Sequence, residues 1–208
     1  GITNERGMYC YVLTYGIHVD TFQGNDFACS NMGLIAGRLA DMLNVGGGVP
    51  AWIDGSDGVG GLLGSSISKL LQSSTQEQLS EFDKLNLNAL VMDATYGAMI
   101  EGFKTRQLKP TAFSFIGQSS LADTIIDEIE KNVLPFQIGK LIDEVAYANV
   151  RTGCNQIFDK YARFLEDYLV VCDTRNNTNE TRANQKLMLT TLCIFKGYAN
   201  QMSLHLLQ

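Results

Sequence analysis

Ser119 and Ser120 stand in the segment FSFIGQSSLAD, Phe113 to Asp123, where an apolar strand-like run enters Gly117 and a helical pattern follows. A serine at such a turn lies beside backbone N–H groups. With a histidine as base and a carboxylate to orient it, the hydroxyl becomes an acyl-transfer nucleophile. The chain has two histidines, His18 and His205, and only His205 lies downstream of these serines, in the helical sequence MSLHLLQ rather than after a closing strand. The competing expectation is that Ser119 or Ser120 caps the next helix. A second group of donors is His18, Asp20 and Asp26, with Asp54 and Asp57 further along. An imidazole and carboxylates converging from neighbouring loops suit a divalent metal, but Asp and Gly also cluster because they make turns, and a histidine near a strand end commonly serves as a hydrogen-bonded structural residue.

The serine segment is similar to the nucleophile elbow of the α/β-hydrolases, in which a sharp strand-to-helix turn exposes the serine Oγ. That resemblance implies Ser119 as nucleophile and His205 as its base on an α/β fold. It departs from the pattern at Leu121, which replaces the second glycine of Gly-x-Ser-x-Gly. The run DGSDG resembles half of a calcium loop but lacks the alternating ligands and the distal glutamate of an EF-hand. The glycines of VGGGVPAWIDGSDGVGGLLG fit neither the phosphate-loop nor the dinucleotide-binding spacing, so no cofactor is expected. Trp52, the only tryptophan, lies among them. It reads as an anchor for the domain core or for a partner, and Trp52, Val59, Leu62 and Leu63 form the expected interface.

Five cysteines, at 10, 29, 154, 172 and 193, form no Cys-x-x-Cys pair, and with two histidines they supply no zinc site of the usual spacing. They read as buried thiols. Asn176-Asn177-Thr178 and Asn179-Glu180-Thr181 are glycosylation sequons that matter only in a eukaryotic secretory setting. No signal-peptide pattern is visible at residues 1–16, and the compartment stays open.

The positioning elements emerge from composition and spacing. The 208 residues are 45% hydrophobic with 20 Gly and 3 Pro, the make-up of a folded chain. A formal charge of -6 argues against a nucleic-acid partner, and no apolar run approaches the ~20 residues of a membrane span. Charged residues are 18%, below the ~25% of ordinary soluble domains, which favours surfaces covered by a partner or by further copies of the chain.

The β-rich run from Met8 to Val19 predicts a strand, residues 21–26 a loop, and Phe27 to Val45 a helix ended by Gly46-Gly47-Gly48. Val49 to Ile53 suits a short strand or connector, and Leu62 to Gln72 a short helix. Ser74 and Glu77 look like a capping box opening a helix that runs to about Lys104. TAFSFIG reads as a second strand before a helix from Ser120 to Asn132, and Phe136 to Val150 as another helix. Beyond it, Cys154, Phe158, Tyr161, Leu165, Tyr168 and Cys172, and then Met188, Leu192, Phe195, Ala199, Met202 and Leu206, recur at alternating fours and threes, predicting a long antiparallel helix hairpin.

The expected fold is therefore mostly α within an α+β class: a helical bundle with a C-terminal hairpin and a small N-terminal β element, with α/β as the alternative. The expected segments are 1–61 (strand, helix and Gly-rich loop) and 62–208 (helical body), together one domain. The functional expectation is a non-enzymatic interaction or assembly subunit that binds a protein partner or copies of itself. The alternative is the serine hydrolase built on Ser119.

Overall fold

The computed structural model describes residues 10–11, 15–19, 25–45, 67–94, 97–102, 104–107 and 111–196. The glycine-rich segment with Trp52, Val59, Leu62 and Leu63 lies outside them, as do Asp20, Asp54, Asp57 and His205. The chain forms two compact units, residues 1–124 and 125–208.

In the first unit the run read as one strand is two: β1 (Cys10–Tyr11) and β2 (Tyr15–Val19), which enter different sheets. β2 turns back into β3 (Asp26–Ser30), an antiparallel partner in which His18 faces Phe27 and Val19 faces Asp26. The expected helix from Phe27 begins five residues later, as α1 (Met32–Val45), because the aromatic and cysteine positions of Phe27 to Cys29 complete the hairpin first. The expected helix over residues 62–72 is also corrected, since its described part holds β4 (Ile67–Leu70), which pairs with β2 on the side away from β3.

The second sheet starts with a helix much shorter than expected. α2 (Gln76–Lys84) is capped by Thr75 and Gln78, one residue beyond the predicted pair: the Gln78 amide donates to Thr75 Oγ1 (3.2 Å) and the Thr75 amide to Gln78 Oε1 (2.9 Å). The helix ends at Asn86, whose φ of 52° is left-handed and cannot continue an α-helix. The chain then enters β5 (Leu87–Asp93) and β6 (Gly97–Glu101), an antiparallel pair to which β1 adds in parallel. Ile35 of α1, Ile67 and Leu70 of β4, Leu90 of β5, and Ala98 and Ile100 of β6 make one buried cluster.

Asn88 fixes how the chain leaves β6. Fully buried, it donates through Nδ2 to the Lys104 carbonyl (2.9 Å) and accepts the Lys104 amide at Oδ1 (2.6 Å), acting as a surrogate strand partner. The approach requires glycine at 102, where φ is 113° and a Cβ would lie 2.9 Å from Asn88 Oδ1. Thr105 then donates from its amide to the Ser114 carbonyl (2.9 Å) and from its hydroxyl to the Phe113 carbonyl (2.6 Å).

TAFSFIG, expected as a strand, is a 3-10 turn over Ala112–Ser114 with a single bridge from Phe115 to Lys104. Ile116 already opens α3 (Ile116–Asn132), and the boundary between the two units falls within this helix.

The second unit is organised on α4 (Glu144–Lys160), N-capped by Asp143, whose carboxylate accepts the Ala146 amide (2.8 Å). The helix starts eight residues later than predicted, because Leu134–Gln137 forms a 3-10 turn around Pro135, and it runs unbroken through Gly153. A side chain at 153 would meet Val133 at 3.1 Å. Ala146, Tyr147, Val150, Cys154, Ile157 and Phe158 give α4 its buried face.

Beyond α4 the expected helix hairpin is absent. Its described residues form β7 (Leu165–Val171) and β8 (Thr190–Phe195), an antiparallel ribbon joined through the short α5 (Asn179–Ala183). The fours and threes of the first stripe are real in α4, up to Tyr161. The later matches fall in LEDYLVV and TTLCIF, whose β-branched and aromatic residues suit a pleated surface. The observed class is α+β with small sheets, and the α/β alternative fails because among the described strands only the two-residue β1–β5 pairing is parallel.

Phe158 is buried and its ring stacks on Tyr168 with centroids 4.8 Å apart, so α4 holds the ribbon through this contact. Phe158→Ala is expected to cost about 3 to 5 kcal/mol in denaturant unfolding by leaving a cavity, and a loss below about 1 kcal/mol would contradict that packing.

Candidate functional site: the β7–β8 ribbon

Among the described residues, those singled out for chemistry are not brought together in one site. His18 is buried in β2, its Nε2 lies 2.8 Å from Asn31 Oδ1, and its ring stacks on Phe27 at 5.8 Å. Asn31 is itself buried and packs over Gly16, where a Cβ would sit 2.7 Å from its Oδ1. His18 thus fills the structural role that its strand position suggested, while Asp26 is exposed one register step away. No group of three or more metal-ligating side chains exists among the described residues.

Ser119 is the fourth residue of α3, only 3% exposed, and its amide donates to the Phe115 carbonyl in a normal helical turn. A nucleophile elbow needs an exposed Oγ at the end of a strand, and neither condition holds. The capping expectation is corrected too, since Ser119 and Ser120 lie inside the helix.

Among the described residues of the second unit, Glu128, Lys160 and Tyr161 form one ion-paired and hydrogen-bonded group. Glu128 Oε1 accepts from Lys160 Nζ (2.5 Å) and from the Tyr161 hydroxyl (2.6 Å), joining the last turns of α3 to the end of α4. Partial burial pushes the Glu128 carboxyl up, but the bonds from Lys160 and Tyr161 outweigh it and leave it below its ordinary value. The same bond to Glu128 raises Lys160, and burial followed by the Glu128 bond raises Tyr161. A charged lysine and a neutral phenol are poor bases near neutral pH. Burial, followed by the neighbouring Cys172, pushes the Cys154 thiol up to about 11, and burial also raises Cys172 and Cys193. These thiols are protonated at neutral pH and therefore weak nucleophiles.

The ribbon has the properties of a contact surface. In register, Tyr168 faces Cys193 and Leu169 faces Leu192, while Ile194 faces Asp167. Because side chains alternate across a strand, Tyr168 turns to Phe158 while Leu169, Leu192 and Ile194 are each more than half exposed. Among the described strands β7 and β8 pair only with each other, so each keeps an unpaired edge. Such edges are templates for another chain, and a two-stranded ribbon is marginal without further support.

That support comes partly from two asparagines. Asn177, fully buried, accepts the Met188 amide at Oδ1 (2.6 Å) and donates through Nδ2 to the Met188 carbonyl (2.9 Å) and the Asp173 carbonyl (3.1 Å). Asn176 donates through Nδ2 to the carbonyls of Val171 (2.8 Å) and Met188 (3.0 Å) and accepts the Asp173 amide (3.0 Å). This network joins the two ends of the connection before β8 begins. It also overturns Asn176 as a glycan acceptor, because its amide nitrogen is committed to two carbonyls, whereas Asn179 is exposed at the start of α5.

No protein-family model matches the chain, and no curated protein matches it. Solved structures do. The contracted helical sheath of the anti-feeding prophage matches with a TM-score of 0.76 and 17% identity, covering 100% of this chain and 57% of that one. The sheath complex of an extracellular contractile injection system, PVC, in its contracted state gives 0.75 and 13% over 93% of this chain and 54% of that one. The six-fold symmetrised baseplate of the anti-feeding prophage gives 0.74 and 17% over 93% and 53%. The chain thus spans little more than half the length of the proteins whose fold it shares.

Two substitutions test the bonds that hold this unit. Asn177→Ala is expected to cost about 1 to 3 kcal/mol, because it strands the Met188 amide and leaves the Met188 carbonyl with the Asn176 amide alone, and to speed hydrogen exchange in β8; an unchanged exchange pattern would contradict the network. For Glu128, the lowered carboxyl means that its contribution is full above about pH 4.5 and is lost as pH falls through the folded value. Lys160, being raised, keeps its share until high pH. Glu128→Gln should therefore be less stable than the wild type at pH 7, by about 1 kcal/mol for a pair open to solvent at Lys160, with the gap closing as pH falls below the ordinary carboxylate value through the lowered folded one. A pH-independent gap would contradict the ion-pair account.

Proposed function

We propose that this chain is a non-enzymatic structural subunit of a contractile, sheath-like assembly, joined to copies of itself or to close relatives. The observation that carries the reading is the fold likeness to a contracted helical sheath over the whole chain, at a TM-score of 0.76. Three features support it. The candidate serine is buried in a helix, Cys154, Cys172 and Cys193 are held as thiols, and the β7–β8 ribbon offers an exposed apolar face and edges that no other described strand pairs. A subunit in a tube contacts neighbours on several sides by heterologous contacts, which generate rings or helical polymers. Low charge is the composition such covered surfaces favour.

Light scattering coupled to size exclusion, with electron microscopy of the same fractions, tests this reading. Rings or tubes of regular diameter that form as concentration rises are the expected outcome. A monomer at every concentration would overturn it, and Ser119-dependent ester hydrolysis by that monomer would restore the hydrolase alternative.

A further inference from the structure

Between α3 and α4 the chain holds a series of large apolar side chains in solvent. Ile138 and Leu141 are each 82% exposed, Val145 65% and Phe136 64%, with Leu134 partly exposed beside them. The segment that carries them is ordered. Leu134–Gln137 forms a 3-10 turn, the Ile138 amide donates to the Pro135 carbonyl (3.4 Å), and the Lys140 amide donates to the Gln137 carbonyl (3.2 Å). Gly139, at φ 79°, makes the next turn, and Asp143 then caps α4.

A connection this well bonded does not need five large apolar residues for its own turns. Exposed side chains with no burial of their own contribute nothing to the folded unit, and the local backbone is already set, so little ordering entropy would be lost on contact.

We infer that the strip from Leu134 to Val145 is an interface buried against a second copy of the chain. This rests on the assembly reading above and adds to it the surface used. The five side chains expose roughly 600 Å² together, at the top of the range for the largest apolar patch of an ordinary monomer. Covered by an equal area of a neighbour, the strip removes roughly 1,200 Å² from water, which reaches the lower bound of a standard specific interface. The only charged side chains in the strip are Lys140, Asp143 and Glu144, and Asp143 is engaged as the helix cap, so contact desolvates few charges. A second copy is the occupant that the fold likeness favours, since the matched structures include a helical sheath and a six-fold baseplate.

The test uses the full chain with two variants. Ile138→Asp/Leu141→Asp should keep the wild-type circular dichroism and thermal midpoint, because both positions are exposed in the subunit, yet stay at monomer mass where the wild type assembles. In Ile138→Cys, the new thiol, followed peptide by peptide by mass spectrometry, should react with a maleimide at least roughly tenfold more slowly in the assembled than in the dispersed state. Normal assembly of the double aspartate variant, or equal labelling in both states, overturns the strip while leaving the assembly reading intact. Protection already present in the dispersed subunit also overturns it, by showing that the chain covers its own strip. Failure of the wild type to assemble at any concentration removes both readings together.

Discussion

In sheets of two and three strands the outer edges leave backbone groups without a strand partner, and the architecture of the described residues depends on how such groups are met. A buried amide or carbonyl without a partner costs as much as several favourable contacts return. Asparagine side chains, which carry a donor and an acceptor in the geometry of a peptide group, fill the gaps. Asn88 of β5 pairs with both backbone groups of Lys104 after β6 has ended, and Asn177 does the same for Met188 where β8 has not yet begun. Asn31 holds His18 across the β2–β3 hairpin.

The same device explains why the molecule is unfinished at its surface. Asparagine pairs one residue at a time and cannot complete a strand edge; among the described strands β7 and β8 pair only with each other, and their outer face is apolar. In a monomer these are aggregation hazards, whereas in a regular polymer they are its joints. The segment from Leu134 to Val145 repeats the pattern without strands, with a backbone satisfied by local turns and side chains that satisfy nothing in their own unit.

The asparagine clamps also mark what the sequence could and could not disclose. The helix from Met32 to Val45 was legible from its spacing, and the capping box before α2 was found within one residue because SSTQEQ fits the pattern in two registers. The long helix to Lys104 was not excluded, since Asn88, Ala89 and Leu90 are all buried and the strand shows no alternation, while the stop at Asn86 lies in one left-handed residue that is not a glycine. Leu165, Tyr168 and Cys172 continued a helical rhythm from α4, but a register shift between Leu165 and Asp167 breaks the period of two, so a strand wore a helix's spacing. Low charge and little visible catalytic equipment in the sequence led to the expectation of a contact subunit. The exposed face of the ribbon was not legible, because Leu192 fell in an expected packing stripe and Leu169 and Ile194 in none, whereas all three are more than half exposed on β7 and β8.

Hydrogen exchange, followed by mass spectrometry in dispersed and assembled protein, tests most directly whether neighbours complete these open surfaces. The account predicts that amides of β7 and β8 slow by roughly tenfold or more on assembly, while residues 104–107, already clamped by Asn88 and Thr105, exchange at the same rate in both states. Unchanged exchange in β7 and β8 within a well-formed assembly would contradict it.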